Sequence, residues 1–349
     1  MVNIELAPGV IVGDESPVYV IAEGGNNHQG SVDIAESIVD AAKLTGADCV
    51  KFQKRSTKDL LTKALRDSAY NSPHAFGATY GAHRDALELS EQDFTRLANY
   101  TKEKKITFTA SAWDKPSVDL LERIGIPFYK MASADLTNLD LMEYVATKGK
   151  PMIISTGMAS LEDVKTTVAL LDKYKIPLVI LHCVSTYPAE PSELNLNNII
   201  TLKKEFPQHV IGYSGHEAGI AASVVAVTLG ARVIERHFTL NHQWKGSDHA
   251  ASLEFDGFRR LVRDLKTVDT WKGSFEKKIH PREVPIKTKL AKSVCSSVKI
   301  PKGTVITAEQ LVMKGPGDGI PPSQVHTVIG KTANKDIDDD VAINAADLS

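Results

Sequence analysis

Short apolar runs recur along the chain, and each leads into a stretch with apolar residues at helical spacing. Val18–Ala22, Cys49–Gln53, Ile106–Ser111, Phe128–Ser133, Met152–Gly157, Leu178–Cys183, Val210–Gly215 and Ala231–Phe238 read as eight strands. They are rich in Val, Ile and Phe and too short to be helices. After the first, Ile34, Ile38, Ala41 and Ala42 share a helical face behind a capping Ser31. Leu161–Leu171, Ala218–Leu229 and Phe255–Val268 are amphipathic in the same way. Eight strand–helix units over about 250 residues predict an α/β fold of the TIM (β/α)8 barrel type. A doubly wound open sheet needs a glycine-rich dinucleotide turn after its first strand. Glu23-Gly24-Gly25-Asn26-Asn27-His28 does not have that spacing.

The strand ends break the apolar pattern. Glu23, Lys51 and Gln53, Thr109 and Ser111, Lys130 and Ser133, Ser155 and Thr156, His182 and Ser185, Ser214 and His216, and Glu235 and His237 close successive strands. In a barrel these positions meet at the C-terminal mouth, where active sites lie. The last strand carries the clearest anomaly. Alternation puts Val233, Glu235 and His237 on one face and Arg236, a structural residue on this reading, on the other. Lys51 and Lys130, with Ser133, Ser155 and Ser214, suit an anion such as phosphate. His216 and His237 suit a divalent metal with open positions. Glu23, Asp135, Glu235 and Asp248 offer carboxylates for hydroxyl binding or proton transfer. Each has a plainer alternative. A strand-end lysine can be ion-paired, a histidine can be a structural hydrogen-bonder, and Glu235 can orient a histidine.

Beyond Trp271 the pattern changes. We read residues 1–271 as the barrel, 272–290 as a linker rich in Lys, Pro and Glu, and 291–349 as a small β-rich module. In that module Val294–Ile300, Val328–Lys331 and Asp336–Ile343 read as strands and Ala308–Leu311 as a short helix. The long connection from Arg55 to Ser90 exceeds ordinary loop length and reads as either a substrate-binding loop or a surface excursion.

Composition narrows the function. The 349 residues are 42% hydrophobic and 24% charged, with a net charge of −2, which gives no electrostatic footprint for nucleic acid. No apolar run has the length of a membrane span, and Met1–Leu6 lacks the pattern of a secretory leader. Cys49, Cys183 and Cys295 form no Cys-x-x-Cys pair. They read as buried thiols of a protein in the reducing cytoplasm.

Several segments together resemble the sialic acid synthase family. They are Ile21–Glu23 through Asn27-His28-Gln29-Gly30, Val50–Gln53, Phe128–Lys130 with Ser133, Ile154–Met158, His182-Cys183 with Tyr187-Pro188, Gly212–His216 and Glu235–Thr239. The tail, with Lys299–Gly303 and Ile329–Lys331, is similar to that family's antifreeze-like (SAF) domain. The resemblance implies condensation of phosphoenolpyruvate with an N-acetylmannosamine-type sugar, with loss of phosphate. It implies manganese or magnesium on His216 and His237. Phosphoenolpyruvate would lie on Lys51, Lys130, Ser133, Ser155, Ser185 and Ser214. The sugar would lie on Glu23, Gln53, Thr109, Tyr187 and Asp248. Glu23, Lys130, Asp135 and Glu235 would be catalytic, with Asp135 closest in role to the attacking water. It further implies a domain-swapped homodimer.

The chain departs from many bacterial members in having Asp135 for Glu, Ser185 for Asn and Gly315, beside Lys314, for an Arg that reaches the partner's sugar. Lys54, Thr79-Tyr80-Gly81 and Trp244–His249 instead resemble the vertebrate-type branch, which makes the 9-phosphate from a 6-phosphorylated sugar. Lys54, Lys58, His74, His83 and Arg84 would then offer the added cations. Synthases of legionaminate, pseudaminate or the KDN type fit the same motifs. A barrel aldolase with Lys130 as a Schiff base, and a carbohydrate- or ice-binding protein acting through the tail, are the readings from other classes.

Overall fold

The computed structural model describes residues 1–349, which form two units, Met1–Lys272 and Gly273–Ser349. Eight parallel strands close the larger unit into a barrel: β1 (Tyr19–Gly25), β2 (Cys49–Lys54), β3 (Thr107–Ala112), β4 (Tyr129–Met131), β5 (Met152–Ser155), β6 (Leu178–Cys183), β7 (Val210–Gly215) and β8 (Val233–His237). Closure comes from β8, which pairs with both β7 and β1. The strands are buried on both faces, as expected of a parallel sheet wrapped in helices. The helices begin where the sequence supplies caps. Ser31 Oγ accepts from Ile34 N, Ser90 and Ser160 form capping boxes, and Asp114 caps the helix Lys115–Ile124.

Two apolar layers leave one end of the barrel for chemistry. The outer layer lies between strands and helices and includes Val20, Val50, Phe108, Ile154, Ile180 and Ile234. The inner layer fills the N-terminal half of the barrel with Tyr19, Ile21, Cys49, Phe128, Ile153, Val179, Leu181 and Val233. A feature the sequence pattern did not reveal closes that end. A hairpin of Asn3–Ala7 and Val10–Gly13 packs Leu6 and Val12 onto the inner layer. Polar interior residues are thereby confined to the opposite mouth.

Arg236 shows why alternation matters. It faces away from the interior and is fully buried. Its Nη1 donates to Glu217 Oε1 at 2.6 Å, to Ser223 Oγ at 3.0 Å and to the Gly219 carbonyl at 2.9 Å. Tyr213 donates to the other Glu217 oxygen at 2.7 Å. This network fastens β8 to the turn after β7, and with it His216 to His237.

The smaller unit pairs Ser293–Ser296 antiparallel with Leu311–Lys314 around a core of Val294, Ile300, Ile306, Val328, Ile337 and Ile343. The predicted helix is a single 3-10 turn, Ala308–Gln310. The strands predicted at 328–331 and 336–343 are instead turns. Isolated bridges join Thr332 to Val305, Ile337 to Ile300 and Ala342 to Cys295. The apolar stretches there are two or three residues at most, split by Gly330 and the Asp338–Asp340 run, so no ladder is sustained. The stretch read as a linker contains an exposed helix, Val284–Leu290. Lys314 is exposed and ion-paired with Asp340.

Arg236→Met should lower barrel stability by about 3–5 kcal/mol, because it strands a buried carboxylate. Urea unfolding followed by circular dichroism measures this. Adding Glu217→Gln should recover part of the loss, and equal losses in the single and double variants would contradict the ion-pair assignment.

Candidate active site

The register sets one ring of polar residues at the mouth. His237 pairs with Glu23 and Glu23 with Lys51, so three neighbouring strands present them side by side. Glu235 lies one layer deeper, beside Ser214. A cavity of about 260 Å³ opens here. Of the residues expected in the site, Glu23, Lys51, Gln53, Lys130, Ser133, Ser155, Ser185, Tyr187, Ser214, His216, Glu235 and His237 line it.

Four buried charges compensate one another on its floor. Lys51 Nζ is 2.6 Å from Glu23 Oε2 and 3.5 Å from Glu235 Oε1, and it donates to Ser111 Oγ at 3.0 Å. Lys130 Nζ is 3.7 Å from the same Glu235 oxygen and donates to Ser155 Oγ at 2.8 Å and to the Met131 carbonyl at 3.1 Å. Gln53 Nε2 holds the second Glu23 oxygen at 2.9 Å.

The environments push like groups apart. Burial raises the Glu23 carboxyl to about 7, with Lys51 pulling against it. Burial also opposes ionisation of Glu235, but Lys130 and Lys51 prevail and hold that carboxyl below its ordinary value. Burial opposes the charge on Lys51 too, yet Glu23 and Glu235 keep it above the ordinary lysine value. Lys130 falls below that value because burial outweighs its attraction to Glu235. One carboxyl near neutrality beside one held ionised is the pattern of an acid–base pair with divided roles.

The opposite wall is imidazole. The His216 and His237 rings are 5.3 Å apart, and Tyr187 lies 4.1 Å from His216 and 5.7 Å from His237. His216 Nδ1 donates to the Val184 carbonyl at 2.6 Å, which leaves Nε2 bare in the neutral ring. His237 Nδ1 is buried without a hydrogen-bond partner, and Asp248 Oδ2 is 3.9 Å away. Burial lowers the His237 imidazole to about 3, so it is neutral at physiological pH. The residues therefore fit a divalent cation: two converging imidazoles, one unpartnered nitrogen and carboxylates nearby. No group of three or more His, Cys, Asp or Glu forms a complete ligand cage.

Three expected residues stand outside the cavity lining. Thr109 is fully buried and donates to the Phe128 carbonyl at 2.7 Å, so it holds adjacent strands together. Ser111, two residues nearer the mouth on the same face, reaches the cavity in its place. Asp135 sits in the 3-10 turn Ser133–Asp135, where Asn138 donates to Oδ1 at 3.2 Å and Oδ2 has no partner. Burial holds its carboxyl above the ordinary value. Asp248 stands behind His237 rather than in the open cavity.

Trp113, Met158 and Cys183 also line the cavity and escaped the sequence reading. Cys183 ends β6, and that position was the available signal, although its apolar run makes it look like core. Gly157 explains the serine geometry. A Cβ there would lie 2.2 Å from Ser185 Oγ and 2.8 Å from Ser133 Oγ, and its N donates to Ser133 Oγ at 3.0 Å. Glycine lets both hydroxyls close over the backbone.

Comparison with known proteins gives the family of the chain. The family model described as NeuB family matches residues 38–277, and that of the SAF domain matches 291–349. Human N-acetylneuraminate-9-phosphate synthase is 42% identical over 342 residues, covering 98% of this chain and 95% of the relative. The N,N'-diacetyllegionaminic acid synthase of Legionella pneumophila is 36% identical over 326 residues, 91% of each chain. Among solved structures, the N-acetylneuraminic acid synthetase of Leptospira borgpetersenii, crystallised with citrate, has a TM-score of 0.69 and 32% identity, covering 81% of this chain and 94% of its own. The Bacillus subtilis spore coat polysaccharide biosynthesis protein spsE has a TM-score of 0.67 and 29% identity, covering 99% of each chain. A buried lysine pair facing two imidazoles in a barrel mouth, followed by a SAF domain and matched along nearly its whole length, identifies the chain as a member of the NeuB family, the phosphoenolpyruvate-dependent sialic acid synthases.

Proposed function

We propose that the chain condenses phosphoenolpyruvate with an N-acetylmannosamine-type sugar and releases inorganic phosphate. The product is N-acetylneuraminate or its 9-phosphate. Carbon 3 of phosphoenolpyruvate bonds to the open-chain aldehyde carbon, and a proton reaches the aldehyde oxygen. Water adds to carbon 2, and phosphate leaves with cleavage of the bond from carbon 2 to oxygen. The observation that carries this reading is the juxtaposition of a buried lysine pair, a fitting seat for an anion, with the His216 and His237 imidazoles in one cavity.

Lys51 and Lys130 bind the phosphoenolpyruvate anion, with Ser133, Ser155, Ser185 and Ser214 as hydroxyl partners. An entering anion competes with Glu23 and Glu235 for the ammonium groups. Glu23, near neutrality, can take up a proton as the anion binds and return it to the developing alkoxide. Glu235 keeps its charge and fixes both lysines. Gln53 and Tyr187 line the sugar side of the cavity, with Asp248 behind. Glu23 lines the cavity and Asp135 does not, which favours Glu23 as the proton carrier. His216 and His237 would hold a manganese or magnesium ion, which supplies Lewis-acid polarisation of the aldehyde oxygen when bound.

The cytoplasm suits three buried, unpaired thiols. A homodimer is supported by exposed apolar side chains between residues 271 and 290, including Trp271, Phe275, Ile286 and Leu290. A Schiff-base reading has one observation in its favour, the lowered Lys130 ammonium. Yet Lys130 is ion-paired and bonded to Ser155, which suits a held cation better than a free nucleophile.

His216→Ala and His237→Ala should each cut phosphate release from phosphoenolpyruvate and sugar by at least about 100-fold, the scale of a lost charge-stabilising group. Chelation of the wild-type protein should do the same and manganese should restore it; unchanged rates after metal stripping would remove the histidines from the mechanism. Gly157→Ala should raise KM for phosphoenolpyruvate by about tenfold, since two hydroxyls must retreat, at ~1–1.5 kcal/mol for a hydrogen bond. Its KM for the sugar should change less, and steady-state kinetics in both substrates reads the difference. Borohydride added during turnover should leave Lys130 unmodified in peptide mass spectra, whereas a reduced adduct there would establish the Schiff base.

A further inference from the structure

The turn after β1, Asn26 to Gly30, carries a buried polar side chain that the condensation does not use. Asn27 is 1% exposed and stands outside the cavity lining. A primary amide has two N–H protons to place when it is buried. Asn27 Nδ2 donates to the Phe238 carbonyl at 2.9 Å and to Ser252 Oγ at 2.8 Å, acceptors 211 and 225 residues away in the chain. Both acceptors border the imidazole wall. Phe238 directly follows His237. Its N donates to the Glu23 carbonyl at 2.8 Å, and Leu253 N donates to the His237 carbonyl at 2.8 Å. Ser252 Oγ in turn donates to the Asp248 carbonyl at 2.7 Å. One amide thereby joins the turn after β1, the end of β8 and the segment that bears Asp248. Gln29 adds a second tie, with Nε2 donating to the Lys245 carbonyl at 2.8 Å.

The group placed in this way is the Asp248 carboxylate. Its Oδ2 lies 3.9 Å from His237 Nδ1, the buried imidazole nitrogen that has no hydrogen-bond partner. The carboxylate itself accepts only from the adjacent Ser247 Oγ, at 2.8 Å. Backbone placement, rather than a side-chain bond to the ring, therefore aims it at His237. The end of β1 packs against the same oxygen. Gly25 has a φ of +49°, and a Cβ there would sit 3.0 Å from Asp248 Oδ2. A carboxylate facing one nitrogen of an imidazole orients the ring and raises the basicity of the other nitrogen. The bonds of Asn27 thus decide where that carboxylate stands.

We propose that Asn27 is a positioning residue: by tying residues 248–252 to the end of β8, its amide keeps the Asp248 carboxylate facing His237 and fixes the orientation of that imidazole. This rests on the reading of His216 and His237 as a metal seat, and adds to it the residue that sets one of the two rings. Asn27 touches neither substrate nor metal and acts through Ser252 and the backbone alone.

The test compares wild type, Asn27→Ala, Ser252→Ala and Ser252→Thr as full chains stripped of metal. Manganese binding is read from the electron paramagnetic resonance signal of the free ion, which needs no turnover. Asn27→Ala should raise the manganese Kd about 10- to 100-fold, the range for loss of a group that orients a metal-binding histidine. Ser252→Ala, which keeps the Asn27 bond to Phe238, should raise it by a smaller factor. Ser252→Thr, which keeps the hydroxyl, should restore the wild-type value. At saturating manganese, KM for phosphoenolpyruvate should move by less than about twofold, because Lys51 and Lys130 share no side-chain partner with Asn27. An unchanged manganese Kd in folded Asn27→Ala makes the amide structural and overturns the proposal. Equal rises in manganese Kd and in KM for phosphoenolpyruvate mark a general loosening of the mouth and also overturn it. If Asn27→Ala does not fold, the Ser252 variants decide: weaker binding with alanine than with threonine supports the proposal, and equal binding overturns it. Wild type that binds no manganese removes the metal seat. Carbethoxylation of His237 by diethyl pyrocarbonate, read by peptide mass spectrometry, then decides the positioning. Faster modification in Asn27→Ala and Ser252→Ala than in wild type and Ser252→Thr supports it, and equal rates overturn it.

Discussion

Two lysines and two glutamates buried side by side at the barrel mouth constrain everything around them. Burying one such charge unpaired costs several kcal/mol. Lys51, Glu23, Glu235 and Lys130 escape that cost only because four strands set opposite charges within 2.6–3.7 Å of one another. The geometry depends on the barrel being closed, since Glu235 comes from β8 while its partners come from β2 and β4. The apolar inner layer and the N-terminal hairpin keep water from the other end. The Arg236 network, on the opposite face of β8, keeps the imidazole wall in register with the charges.

The same array explains why the free protein is poised rather than merely stable. Its charges cancel, so a multiply charged anion can enter only if charge is rebalanced. Glu23, lifted to about 7 by burial, is the member that can accept a proton near neutral pH. The two imidazoles opposite, one neutral and unpartnered at Nδ1, offer a place for compensating positive charge. Under the proposed reaction, substrate binding, proton movement and metal affinity are therefore linked electrostatically.

Strand-end polarity carried the identity of most cavity residues, because a period of two makes facing predictable once a strand is located. It misjudged depth. Thr109 and Ser111 share a face, but the barrel's layering lets only Ser111 reach the cavity. Asp135 lies beyond the end of β4, where no strand period applies and a 3-10 turn directs the carboxylate elsewhere. Cys183 and Trp113 were missed because apolar side chains at a mouth look like core until the neighbouring strands are placed. In the small unit, apolar residues spaced like short strands proved to be single bridges between turns.

The sequence by itself determined the number and order of the strands, the face each polar residue takes, and, through motifs in order along the chain, the family. These are properties of local period and of residue identity. Tertiary structure alone decided which side chains share a cavity and which charges neutralise one another. It also decided that Gly157 must be glycine and that Asn27 reaches across to Phe238 and Ser252. Such matters depend on distances between strands remote in the chain and on burial, which sets the free energy of a charge. Neither quantity is defined until the barrel closes.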